Sequence, residues 1–278
     1  MAFQVRKHSL QDESLPPSKQ RRRRKKKEAS EWISDLPKER AVNTNWACLL
    51  GAAPTALDAR QLHGEQVWMV DGLLSPGECK SLIDQSESHG FGTTDFAKSY
   101  RGNLRLTVTD RGLANAVWKR LKALVPLTFK LTAPAVLDDG NWWSHYPDVN
   151  GRWEASGLND CWRIAKYYPT DQFQCHCDGA FEKSAGYEMS MLSVNIYLND
   201  GFRGGHTRFY LNDDPYFEWR DDFGVPDFEI SPKVGSCLIF RQPPGRSYWH
   251  DGEEVRAGLK YLLRSDVMYR RRSEVVKG

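Results

Sequence analysis

The chain has 278 residues, 40% hydrophobic and 12% aromatic, enough apolar content to pack one large core. No apolar run approaches the roughly 18 residues of a membrane-spanning helix, and the opening MAFQVRKHSLQDES lacks the apolar stretch of a secretory signal, so neither a membrane span nor secretion is expected. The net charge of +3 hides an asymmetry: residues 1–30 hold ten Lys or Arg against three Asp or Glu, and residues 31–278 hold 29 against 33.

In chain order, the first element is that basic tail. It contains seven consecutive cations from Arg21 to Lys27, just after Pro16-Pro17-Ser18. Such a block repels itself and buries nothing, so residues 1–30 are expected to be disordered. Three roles remain open: a nuclear address, a nucleic-acid contact through residues 20–27, or a plain solvated arm. Its separation from a slightly acidic body speaks for the address over a continuous nucleic-acid surface, and so for a nuclear or cytoplasmic protein. Residues 31–65, with Trp32, Trp46 and Leu49-Leu50 but no sustained period, read as a linker with a short docking segment.

A domain is expected over residues 66–270. It opens with a short strand at 66–70. Ser75-Pro76-Gly77-Glu78 then reads as a capping box with proline at the first helical position, opening a helix that places Cys79, Leu82 and Ile83 on one face and ends near Gly90. Residues 100–108 read as a strand. Leu113, Val117, Trp118, Leu121, Leu124 and Val125 then recur at helical spacing over 113–125. Helices placed ahead of a strand-rich region are expected to buttress one sheet.

The aromatic-rich stretch 138–159, with Trp142, Trp143, His145, Tyr146 and Trp153, either walls a substrate groove or packs under loops. Strands dominate from there: 163–168, 173–178, 189–198, 206–210, 235–240, 247–250 and 259–269, separated by Gly, Pro and Asp clusters, which indicates a barrel or sandwich. The acidic, aromatic segment 212–231 is long enough for a lid, or equally for a surface insertion. Residues 271–278 form a C-terminal tail.

Within these strands stands His176-Cys177-Asp178. Two residues apart on an extended strand, the imidazole and the carboxylate leave the same face while Cys175 and Cys177 turn away. With His250, 74 positions later, they are the residue types of a two-histidine, one-carboxylate facial triad, which suits Fe(II) and leaves positions open. A third ligand that far along the chain requires the sheet to fold back on itself. Alone, the tripeptide is a weak signal that a surface His and a turn Asp would also produce. The six cysteines show no C-x-x-C pair and fit free thiols of a reducing compartment. A zinc site on Cys175, His176 and Cys177 is disfavoured because adjacent strand side chains diverge.

The surroundings of the tripeptide say more. Lys260 lies ten positions after His250 in HDGEEVRAGLKY; Tyr167 and Phe173 precede His176 by nine and three; Asn199 closes a strand; and Gly204-Gly205-His206-Thr207-Arg208-Phe209 follows. This pattern resembles the catalytic domain of prolyl 4-hydroxylases, among the Fe(II)- and 2-oxoglutarate-dependent dioxygenases. The resemblance runs over residues 66–270, most closely 163–269. It implies an α+β, mainly β fold: a double-stranded β-helix, or jelly-roll, buttressed by N-terminal helices. It implies iron on His176, Asp178 and His250, 2-oxoglutarate and O2 as co-substrates, ascorbate as reductant, and a protein or peptide substrate, first of all a peptidyl proline. It also implies Lys260 as the partner of the distal 2-oxoglutarate carboxylate, with Tyr167 and Tyr197 as hydrogen-bond partners. Arg264, on the same strand face as Lys260, is a second candidate for that carboxylate. One departure stands out: Phe173 lacks the hydroxyl that a tyrosine would offer. Other readings are the same chemistry on a small molecule or a non-proline residue, a silent scaffold recruited to nucleic acid by its tail, and a cupin, though cupins favour His-x-His.

Overall fold

A computed structural model describes residues 37–64, 66–132, 149–184, 186–211, 222–242 and 248–272. The basic tail, Trp142, Trp143, His145 and Tyr146, residues 212–221 of the acidic segment and residues 273–278 lie outside these.

Two sheets face each other. The larger runs, in spatial order, Arg40–Asn43, Leu104–Thr109, Cys161–Tyr167, Lys260–Arg271, Glu188–Tyr197, Cys237–Arg241, Val67–Val70 and Ala59–His63; the smaller runs Phe228–Ile230, Thr207–Tyr210, Trp249–Gly252 and Phe173–His176. Phe209 and Ile230 of the small sheet pack on Val67, Met69, Tyr197, Leu238 and Phe240 of the large one. The mainly β, jelly-roll expectation holds, and the strands expected after residue 160 are present within two or three residues of their expected bounds.

The central strands are buried on both faces, and their period of two sorts them. Along Lys260–Arg271, Tyr261, Leu263, Val267 and Tyr269 point into the main core, which they share with Cys79 and Leu82 of the helix Pro76–His89 and with Leu113, Val117 and Leu121 of the helix Arg111–Leu121. Lys260, Leu262 and Arg264 alternate to the opposite face, into the space between the sheets. Cys161–Tyr167 repeats the pattern, with Trp162 and Ile164 toward the helices and Arg163, Ala165 and Tyr167 inward.

The first helix begins as its sequence dictates. The Ser75 hydroxyl accepts from the Glu78 amide at 3.2 Å, and the Glu78 carboxylate accepts from the Ser75 amide at 2.7 Å. Glu78 does more than cap. Its two oxygens take both arms of the buried Arg120 at 2.7 and 3.0 Å, and Arg120 also donates to the carbonyls of Leu73 and Gly51, tying the two helices to the segment before them. Burial alone would raise the Glu78 carboxyl, but Arg120 and the two backbone amides bring it down to about 2. Glu78→Gln should therefore destabilise the fold by about 3–5 kcal/mol, since it strands a buried guanidinium. The native stability from this carboxylate is complete above its ordinary pKa of 4.5 and is lost as pH falls toward 2. Denaturant melts of both proteins at pH 7 and pH 3 check this: the gap should narrow at the lower pH.

Two segments differ from their sequence reading. Residues 37–64 are no linker along that length: Arg40–Asn43 pairs in parallel with Leu104–Thr109, Ala59–His63 pairs with Val67–Val70, and Trp46 is buried in the main core beside His89 at the end of the first helix. Both are edge strands, held by backbone hydrogen bonds on one side, so no long apolar period marks them. Gly151–Leu158, read within an aromatic loop region, is a strand paired with the end of Lys260–Arg271, and Trp153 is fully buried with its indole N–H donated to the Val149 carbonyl at 2.9 Å. Of the two readings for that aromatic, packing is the one observed.

Candidate active site

The small sheet brings the histidines together. Phe173–His176 and Trp249–Gly252 are antiparallel neighbours with His176 directly opposite His250, their ring centroids 4.3 Å apart. Pairing ends at His176, so Asp178 sits just past the strand, yet its carboxylate still turns to the same side. The ligand atoms of His176, Asp178 and His250 lie within 4.8 Å of one another, and no other such group of three occurs among the described residues. The zinc alternative is not supported: Cys175 is buried in a separate cluster with Tyr210 and Trp249, and all six cysteines are outside disulfides.

Each ligand is aimed by a second partner. Nδ1 of His176 donates to the Gln174 carbonyl at 2.8 Å and Nδ1 of His250 to that of Tyr248 at 2.9 Å, which leaves both Nε2 lone pairs facing Asp178, 3.6 and 3.9 Å from its oxygens. Burial pushes both imidazoles down, His176 to about 4, so they are neutral bases at physiological pH. Burial would raise Asp178, but the Arg264 guanidinium and the two imidazoles hold it well below the usual carboxylate range. Two neutral nitrogen donors and one ionised oxygen donor at a common point fit a divalent transition-metal ion.

Behind Asp178 closes a ring of buried polar groups. Ser193 donates to Asp178 at 2.6 Å, Gln242 reaches Ser193 at 3.4 Å and Asp266 at 3.0 Å, and Arg264 lies 3.6 Å from Asp266 and 3.0 Å from Asp178. Ser193, Gln242 and Asp266 come from or abut three different strands, and nothing in their local sequence marks them.

The cavity over the triad is lined by Tyr167, Phe173, Thr207, Lys260, Leu262 and Arg264, among others. Lys260 is 3% exposed and, among the described residues, donates only to the Gly205 carbonyl, at 2.7 Å, with its ammonium 5.1 Å from the Tyr167 ring. Burial pushes it down to about 8. The Gly204-Gly205 pair makes this approach possible. Both have positive φ (+74° and +68°), and a Cβ at Gly205 would lie 3.2 Å from Lys260 Cδ. Asn199 clamps the start of the same strand, donating to the Leu259 carbonyl and accepting from the Tyr261 amide.

The structure thus gathers His176, Asp178, His250, Lys260, Tyr167 and Arg264 around one cavity. Two candidates are placed differently from their expected role. The Tyr197 hydroxyl is buried behind the wall and bonded to Thr207 Oγ1 at 2.7 Å, so Thr207 is the hydroxyl presented to the cavity. Arg264 does face inward, but its charge is engaged by Asp178 and Asp266. Phe173, where a hydroxyl is missing, stacks on His176 with centroids 3.7 Å apart and so fixes the imidazole plane by contact.

Residues 162–265 match the family model of the 2OG-Fe(II) oxygenase superfamily. That stretch contains all seven candidate residues, and the resemblance carried by the motifs stands; iron, 2-oxoglutarate and O2 are the partners that superfamily implies. No curated protein matches the chain. Solved structures similar to it include a viral collagen prolyl hydroxylase of Paramecium Bursaria Chlorella virus-1 in complex with 2OG (17% identity, TM-score 0.44, covering 74% of this chain and 97% of that one). Others are a Pseudomonas putida prolyl-4-hydroxylase (19%, 0.45, 75% and 94%) and a Trichoplax adhaerens prolyl hydroxylase in complex with a hypoxia inducible factor peptide fragment (16%, 0.45, 73% and 83%).

Proposed function

We propose that this 2OG-Fe(II) oxygenase domain hydroxylates a peptidyl proline, with decarboxylation of 2-oxoglutarate to succinate. The observation that carries the reading is the buried His176, Asp178 and His250 triad sharing its cavity with Lys260, a cation that has no carboxylate partner among the described residues. Iron, when bound, supplies the oxidising power that no side chain has. The chain's part is to hold and exclude. His176 and His250 stay neutral and aimed, Asp178 stays ionised, Lys260 would offer a poorly solvated charge to the distal carboxylate of 2-oxoglutarate, and Tyr167 and Thr207, which line the same cavity, would offer it hydroxyls.

Proline as the target follows the motif resemblance alone, so the test addresses it directly. Purified protein with Fe(II), ascorbate and oxygen should form succinate from 2-oxoglutarate, faster with proline-containing peptides, and mass spectrometry should place one added oxygen on the proline. Succinate without any peptide dependence would move the reading to a small molecule or another residue type. Iron bound with no succinate would favour the scaffold. For residues 20–27 we propose a nuclear address; a chain lacking residues 1–30 should keep its activity and lose nuclear accumulation in cells, and unchanged location would reject the address.

A further inference from the structure

Four basic side chains line the cavity over the triad: Arg101, Arg163, Lys260 and Arg264. Two are neutralised within the fold, Arg264 by Asp178 and Asp266 and Arg163 by Asp266 at 3.8 Å. Lys260 and Arg101 have no carboxylate within ion-pair distance among the described residues. A single co-substrate presents one free distal carboxylate, and the proposed function gives it to Lys260. One cation is left over.

Arg101 is built to be presented. Its Nε donates to Asn103 Oδ1 at 3.2 Å, and its guanidinium carbon lies 4.4 Å from the centre of the Phe173 ring and 5.6 Å from that of Phe96. The Phe173 ring also stacks on His176, so the charge stands one aromatic ring away from a metal ligand. Stacking and the Nε bond fix the plane of the fork. The two terminal nitrogens make no hydrogen bond to a described residue. Whereas Lys260 is closed in, Arg101 is half-buried at a seam: it lines the triad cavity and also the adjoining groove formed by Phe96, Lys98, Leu104, Tyr168 and Asp171. Asp171, the acid of that groove, is already paired with Lys98 at 3.4 Å. The close packing is specified too, since a Cβ at Gly102 would lie 2.9 Å from the Asp171 carboxylate.

We propose that Arg101 is a substrate-binding, specificity-determining residue that takes a carboxylate of the substrate in a two-pronged hydrogen bond while the carbon to be oxidised lies over the metal. The substrate class is then one carrying a carboxylate near the reacting carbon, either an acidic side chain beside the target in a peptide or the free carboxylate of a small amino acid. This rests on the proposed function for the assignment of Lys260, and it lies outside the stretch matched by the family model.

The test reads binding, not turnover. The full chain is loaded with Mn(II) and 2-oxoglutarate without oxygen and offered two probes: a peptide pool with proline fixed and three randomised positions on each side, and, separately, free proline against prolinamide. The wild type should favour Asp or Glu over Asn or Gln in the retained peptides, or free proline over its amide, by roughly 10- to 100-fold, the worth of a charge-assisted hydrogen bond. The first result names a peptide source and the second a small-molecule source. R101Q should erase the preference and leave 2-oxoglutarate affinity unchanged, while R101K should keep part of it. No carboxylate preference in either arm, a preference that survives R101Q, or a tenfold loss of 2-oxoglutarate affinity in R101Q would each overturn the proposal. Succinate formation is measured on separate samples with Fe(II), ascorbate and oxygen: carboxylate-selective binding without succinate would sink the oxygenase reading and spare the anion site, and succinate without selectivity would do the reverse.

Discussion

Asp178→Ala is expected to weaken Mn(II) or Fe(II) binding by at least about 100-fold, the upper end of what losing an outer-sphere partner costs a metal site, and to end turnover. The reason is charge as much as coordination. Asp178 carries the only negative charge among the three ligands, and Arg264 lies 3.0 Å from it. With the carboxylate gone, an incoming cation meets two neutral imidazoles and a guanidinium whose remaining acid, Asp266, is 3.6 Å away. The fold should suffer as well, because a buried charge loses its best partner. Adding Arg264→Met to Asp178→Ala separates the two effects: thermal stability should return toward the wild type, and metal affinity should not. Calorimetric Mn(II) titration with a melt of each variant reads both. Full metal content and full activity in Asp178→Ala would place the metal elsewhere.

How much of this site was legible in the chain follows from how each residue is positioned. His176 and Asp178 could be read because their two-residue spacing is a local rule of extended backbone, and His250 because the Lys260 offset anchored it to a known pattern. The cross-strand pairing of His176 with His250 also satisfies the demand, made by 74 intervening residues, that the sheet fold back. Ser193, Gln242 and Asp266 were invisible for the opposite reason. Along Glu188–Tyr197 the sequence EMSMLSVNIY sets Ser193 and Asn195 among apolar residues, and a polar residue alternating on a strand normally faces water. Here both faces are covered, by helices on one side and by the small sheet on the other, so these polar groups are buried. Arg101 was missed because it precedes its strand in an irregular stretch, and only the isolated pairing of Arg101 with Phe173 brings it to the triad. The edge strands Arg40–Asn43 and Ala59–His63 were hidden because backbone pairing, not side-chain period, holds them.

Lys260 should determine how 2-oxoglutarate binding depends on pH. Burial pushes its amine down from an ordinary 10.5 to about 8, so the fold without an anion increasingly holds a neutral lysine above that pH. The sign for stability follows. Below pH 8 the folded chain carries the full cost of a buried ammonium, and this cost is relieved as pH rises from 8 to 10.5, where the unfolded chain still binds the proton. Anion binding runs the other way, because a carboxylate beside the amine restores its proton. Affinity of the Mn(II)-loaded protein for 2-oxoglutarate should therefore be flat up to about pH 8 and then fall by about tenfold per pH unit. Lys260→Ala should bind 2-oxoglutarate roughly 10- to 100-fold more weakly at pH 7 and lose that slope, since a charge-assisted hydrogen bond contributes roughly 1.5–3 kcal/mol. Lys260→Arg, charged throughout, should stay flat to pH 10 even if its fork fits the pocket less well. Metal binding should be unchanged in both. If Lys260→Ala keeps wild-type affinity and slope, the distal carboxylate belongs to Arg101 or Arg264, and the leftover cation of this cavity is Lys260.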